Sequence, residues 1–192
     1  MKLYHGTNQF FKQFEQSKAR ILNDYYGGGV AYFTDNSKVA LTYAKSMAKS
    51  KGGEKYVFEV DLSVSKIFDV DNEFTGKELK KFFTDKTVED FARGAGLLKF
   101  GVDKYSVMSS LQLGNQKLTG EQVFKGLSSG MNKTAKAREK LIKLGYDALR
   151  YNGGVNMGAA IKHDVYITYD ASNVKIVAIY MYDKLDNKYK KV

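Results

Sequence analysis

The chain has no cysteine, which excludes disulfides, thiol catalysis and cysteine-ligated zinc. It has only two histidines, His5 and His163, and no His/Asp/Glu cluster at metal-ligand spacing, so no metal is expected. No stretch approaches the roughly 20 apolar residues of a membrane span. One lysine follows Met1 with no apolar run behind it, so no signal peptide is expected either. These absences predict a soluble, cytoplasmic protein. Internal repeats, a phosphate-binding GxxxxGK[ST] loop, a serine elbow and a dinucleotide glycine fingerprint are also missing. The lack of proline, beside abundant lysine, asparagine and tyrosine, fits a biased genome and names no function.

What is present fits one packed domain over residues 1–192: 43% hydrophobic and 14% aromatic residues exclude wholesale disorder. A net charge of +10, from 31 Lys+Arg against 21 Asp+Glu, favours an acidic partner such as nucleic acid, bound in a salt-dependent way. The plainer reading is a solvated surface, because most of the bases are lysines scattered over presumed helix faces.

The organising stretch is residues 28–47. Val30-Ala31-Tyr32-Phe33-Thr34 is β-branched and aromatic and reads as a buried strand. Asp35-Asn36-Ser37 supplies N-cap side chains. Ala40, Tyr43, Ala44 and Met47 then recur at helical spacing as one apolar face. A strand thus presents Tyr32 and a helix presents Tyr43 toward one region. Ahead of them, residues 2–5 read as a first strand ending at His5, and Gly6 would let a ligand approach the backbone. A lone histidine is otherwise a half-buried residue with a satisfied hydrogen bond.

Residues 56–62 alternate, with Tyr56, Phe58, Val60 and Leu62 on one face. Glu59 and Asp61, on the other, read as a solvated face rather than an acid pair. Residues 72–131 read as a mostly helical insertion, with helices around Leu79–Phe83, Val88–Phe91 and Val123–Leu127. Asn132 can cap a helix to Leu144 that turns Ala137, Leu141 and Leu144 inward and stops at Gly145. A strand ending at Arg150-Tyr151 follows, then a loop with Met157 and His163. Strands over 164–170 and 174–182 come next, and the polar tail from Asp183 is expected to fray.

His5-Gly6-Thr7, Gly29-Val30-Ala31-Tyr32-Phe33 and Ala40-Leu41-Thr42-Tyr43 together resemble the ADP-ribosyltransferase superfamily, on its diphtheria-toxin and poly(ADP-ribose) polymerase side. Gly145-Tyr146-Asp147-Ala148-Leu149 and Val165-Tyr166-Ile167-Thr168-Tyr169-Asp170-Ala171-Ser172 are similar to pieces of small phage and mobile-element members. The resemblance covers roughly residues 2–70 and 132–182. It implies an α+β fold of split, mainly antiparallel sheets around an NAD cleft, with a loop over the nucleotide near residues 19–29, where Arg20, Tyr25 and Tyr26 stand.

The implied reaction cleaves the nicotinamide–ribose bond of NAD and transfers ADP-ribose to a host protein or nucleic acid. His5 would hold a ribose hydroxyl. Tyr32 and Tyr43 would stack on the nicotinamide, and backbone groups of Gly6 would fix its amide. Thr7 and Phe33 complete the implied NAD contacts. The family's catalytic glutamate falls on Val165, and the nearest acid is Asp164, one residue earlier. In a regular strand that offset turns the side chain to the opposite face. A bulge at His163-Asp164 could re-aim Asp164, another acid could substitute, or the site could bind NAD without efficient catalysis. With His5 and Tyr32, Asp164 is the expected catalytic residue. His163 reads as a solvent-facing loop residue, with tuning of Asp164 as the alternative. The rival to the transferase is an inactive module of the same fold, binding nucleic acid or an acidic protein through its basic surface.

Overall fold

The computed structural model describes residues 1–18, 26, 28–128, 134–153, 161–183 and 188–192. Arg20, Tyr25, Asn132 and Met157 lie outside the described residues. The protein is α+β, with a mainly antiparallel sheet and, among the described residues, six α-helices. The chain divides into two compact units: Met1–Ala19, Gly29–Ser65 and Arg150–Val192 form the first, Arg20–Gly28 and Lys66–Leu149 the second.

The first unit holds β1 (Lys2–Thr7), β2 (Ala31–Thr34), α1 (Ser37–Lys51) and β3 (Tyr56–Leu62). It also holds most of β7 (Ala148–Asn152), β8 (Asp164–Thr168), β9 (Val174–Asp183) and β10 (Lys188–Lys191). The strand order is β10-β9-β3-β1-β2-β8-β7. Its core gathers Leu3, Ala31, Phe33, Phe58, Val60 and Leu62, with Phe11, Phe14 and Tyr166 packed against them. Each fully buried side chain of this kind contributes about 1.5–3 kcal/mol.

Helix α1 forms as its sequence dictates. The Asn36 side chain accepts from the N–H groups of Lys38 and Val39, a cap that stabilises by about 1 kcal/mol. Ala40 and Ala44 are buried, while Tyr43 and Met47 are half-buried beside them. Of the acids of β3, Asp61 is solvated as expected and Glu59 is not. Asp61 is exposed and binds the N-terminal ammonium at 2.9 Å. The Glu59 side chain is only 14% exposed and is paired with Lys2 at 2.9 Å. It is not part of a solvated row, because the Tyr180 hydroxyl of β9 and the Lys2 ammonium close on its carboxylate. Within the tail, where fraying is expected, Lys188–Lys191 form β10, which pairs with β9 from Lys188↔Asp183 to Lys191↔Tyr180.

The second unit contains β4 (Ile67–Asp69), β5 (Glu73–Thr75), α2 (Gly76–Leu79), α3 (Val88–Gly94) and α4 (Lys104–Leu113). β6 (Lys117–Thr119), α5 (Gly120–Ser128) and α6 (Thr134–Lys143) complete it. It extends past residues 72–131 on both sides. Helices stand where Leu79, Val88–Phe91 and Val123–Leu127 predict them. The β5–β6 pair and α4 are additions to the expected pattern. Phe68 stacks on Phe74 and meets Phe82 and Tyr146 edge-on, forming a separate aromatic core. In α6, Ala137 and Leu141 are fully buried, and Gly145 follows at φ +81°, the left-handed conformation that ends helices. Tyr26 meets Phe124 at 5.4 Å within this unit.

Candidate functional site

β1 and β2 share one ladder pair, Tyr4↔Thr34, and then part. β1 continues along β3 from Lys2↔Asp61 to Thr7↔Tyr56. β2 continues along β8 from Thr34↔Val165 to Ala31↔Thr168. At the parting, the His5 side chain makes the next link: its Nδ1 lies 2.8 Å from the Tyr32 carbonyl oxygen. A carbonyl only accepts, so Nδ1 carries the proton and donates. The ring sits among Phe11, Phe14, Phe33 and Phe58, at centroid distances of 6.3, 5.4, 5.8 and 6.3 Å. Burial there pulls the His5 pKa down to about 4, so at neutral pH the ring is uncharged and Nε2 is an acceptor.

That shift has a consequence for stability. Unfolded histidine takes up its proton near pH 6.5, whereas folded His5 resists until about pH 4. The stabilisation is complete above the unfolded value and is lost as pH falls through that window, by about 3 kcal/mol at most. Melting curves should therefore drop between pH 7 and 4, and His5→Phe should flatten the part of that drop lying above the carboxylate range.

Gly6 serves the helix. A Cβ there would meet the Ala40 carbonyl oxygen and the Ala44 nitrogen, so the space beside its α-carbon is occupied by α1 rather than open to a ligand. Tyr32 and Tyr43 are both half-buried. Burial raises the Tyr43 phenol pKa. Alternation along β2 puts Tyr32 with Thr34, away from Phe33. The two tyrosine rings make no contact with each other. Thr7 is buried and caps the turn after β1, its Oγ1 accepting from the Gln9 N–H at 3.2 Å. Phe33 is 1% exposed and is a core ring, with no face turned outward for stacking.

The acid is the part sequence could not place. The β2–β8 register runs without a shift from Val165 to Thr168, and the Asp35 N–H continues the ladder onto the Asp164 carbonyl, at the position of the expected bulge. Val165 is 3% exposed, and Asp164 shares the opposite face with Tyr166, the face on which Phe33 and the His5 ring also lie. Asp164 is half-buried and ion-paired, its Oδ1 2.7 Å from an Arg150 guanidinium nitrogen. Its N–H donates to Asp35 Oδ1 at 3.0 Å, and its carbonyl accepts from the Asp35 N–H at 3.3 Å. Burial first, then the Asp164 charge, raises the Tyr166 phenol pKa, with Arg150 opposing. Arg150 was legible only as a lone charge in the otherwise apolar Ala148-Leu149 strand. Asp35 was legible only as a capping residue.

His163 is not solvent-facing. It is 3% exposed, with Nδ1 donating to the Ile161 carbonyl at 2.9 Å. Its Nε2 lies where a side chain on Gly153 would fall. The glycine makes room for the ring, and the Gly153 N–H bonds the His163 carbonyl at 2.9 Å. The ring shares the Val165 side of β8, so it does not reach the Asp164 carboxylate.

No family model matches the chain, and comparison with curated proteins and with solved structures also gave no match. Among the described residues no group of His, Cys, Asp or Glu could hold a metal ion, and no helix is long and apolar enough to cross a membrane. The site is thus defined by its own geometry. A neutral imidazole stands where two strands part, a carboxylate–guanidinium pair lies on the same sheet face, and two half-buried tyrosines stand on the helix side.

Proposed function

We propose that the protein is a mono-ADP-ribosyltransferase that cleaves NAD at the nicotinamide–ribose bond. The observation that carries this reading is His5 at the parting of β1 and β2, neutral and with Nδ1 committed to the Tyr32 carbonyl. That commitment leaves Nε2 to accept a hydrogen bond from a ribose hydroxyl. The split of β1 from β2 also suits an extended dinucleotide laid between two halves of a sheet.

In the reaction the carbon–nitrogen bond to nicotinamide breaks, and its electron pair leaves with the nicotinamide nitrogen. The ribose carbon becomes oxocarbenium-like, as in glycoside hydrolysis. A nucleophile on the acceptor then bonds that carbon and gives up a proton. Tyr32 and Tyr43, on the helix side of the sheet and opposite the His5 ring, would flank a nicotinamide passed through the parting of β1 and β2. Asp164 would take the proton or steady the developing charge. Arg150 would then have to share Asp164 with the substrate, because a carboxylate bound at 2.7 Å to a guanidinium has part of its charge already countered. A phage or mobile-element effector acting on a bacterial host macromolecule fits the resemblance.

One observation favours a second reading. Val165 is buried at the family's glutamate position, and the neighbouring acid is already paired. An inactive module of this fold, binding through its basic surface, follows if no carboxylate serves.

The test is incubation of the purified protein with labelled NAD and host lysate, wild type beside Asp164→Ala. Label on a macromolecule with the wild type alone supports the enzyme and gives Asp164 the acid's role. Transfer by both proteins keeps the enzyme and moves the search to another carboxylate. Transfer by neither, with NAD still raising the melting temperature, leaves the binding module.

A further inference from the structure

The β9–β10 ribbon gathers tyrosine and lysine on one face. Residues opposite each other in an antiparallel ladder share a face. Tyr189 opposes Tyr182, and Lys191 opposes Tyr180. The rings of Tyr180 and Tyr182 both approach Tyr189 edge-on, at 6.3 and 5.8 Å. Lys45 of α1 places its ammonium 4.4 Å from the Tyr182 ring centre, and Lys55 places its own at 5.9 Å. Tyr189 is 41% exposed, and all of β10 is exposed. Glu59 lies on this face, its carboxylate accepting from the Tyr180 hydroxyl at 3.4 Å and countered by Lys2 at 2.9 Å. Asp183 bonds Lys190 on the opposite face of the ribbon. Lys45, Lys55 and Lys191 therefore set the sign of its field.

We infer that this face binds single-stranded nucleic acid, its tyrosines stacking on unpaired bases and its lysines lying along the phosphates. Lysines on an edge strand also discourage pairing with another chain, but that task needs no tyrosines clustered on the same face. Aromatic rings framed by cations are the arrangement that holds a single strand with little sequence preference, since every base offers a π-face. A duplex keeps its bases stacked and would use the lysines alone. An acidic protein would leave the tyrosine faces without flat partners. The inference stands apart from the transferase reading, because none of its residues belongs to the proposed NAD site.

Fluorescence anisotropy of a labelled oligothymidylate and a labelled oligouridylate, each about 12 nucleotides long, tests it. Binding is expected at about 50 mM salt and should weaken steeply as salt rises. Tyr189→Leu, which keeps an apolar side chain without a ring, should lower affinity by about 5- to 100-fold. Lys45→Ala and Lys191→Ala should each reduce the salt slope by about one. Lys77→Ala and Lys86→Ala, exposed in the second unit, should change nothing. Absence of binding at low salt would overturn the inference. So would an equal loss in the Lys77 and Lys86 variants, or displacement of the oligonucleotides by polyglutamate as readily as by unlabelled oligonucleotide.

Discussion

His5→Phe should lower ADP-ribosyl transfer by about 100-fold or more while leaving a folded protein. The ring's surroundings are Phe11, Phe14, Phe33 and Phe58, so phenylalanine satisfies the packing. What disappears is the pair of nitrogens: Nδ1, which ties β1 to the Tyr32 carbonyl at 2.8 Å, and Nε2, which would accept from the ribose. Loss of a positioning contact in a site that depends on alignment costs on the order of 10²-fold. The Tyr32 carbonyl left without its donor costs about 1–3 kcal/mol, partly offset by the more apolar ring. Steady-state transfer rates beside melting curves separate the two effects. A variant that transfers at the wild-type rate would remove His5 from the reaction.

Gly6→Ala is expected to be the most damaging single-methyl change in the first unit. The added Cβ meets the Ala40 carbonyl and the Ala44 nitrogen, and both are backbone atoms that no rotamer can move. α1 would have to lift from β1, losing the burial of Ala40 and Ala44. The cost should be about 3 kcal/mol or more, a fall in melting temperature of about 10 °C for a chain of this size. Trimming the helix with Ala40→Gly should not rescue it, because the obstructing atom is the carbonyl and not the methyl. A melting temperature within two or three degrees of wild type (about 1 kcal/mol) would mean that α1 does not rest on Gly6.

These two residues show what the sequence made legible. Glycine after His5 was visible as a place of close approach, but the approaching partner is a helix 34 residues later in the chain. Local pattern does not carry that kind of information. β2, α1 and β3 were readable because alternation, an N-cap and a helical stripe are local signals. α4 was hidden because Leu111 is its only fully buried side chain, which leaves its apolar stripe faint between glycines. β10 was hidden because Lys-Tyr-Lys-Lys carries no strand pattern and is held by its pairing with β9 alone. His163 read as a loop residue because its burial depends on Gly153, ten positions away. The Arg150–Asp164 pair joins two strands across 14 positions of sequence, and only the fold brings those charges together.

The most direct measurement is the release of free nicotinamide from NAD by the purified protein with host lysate, alongside attachment of labelled ADP-ribose to a lysate macromolecule. The transferase account predicts that the two appear together with the wild type and fall together with His5→Phe. NAD recovered intact, with no rise in the protein's melting temperature on adding it, would contradict the account.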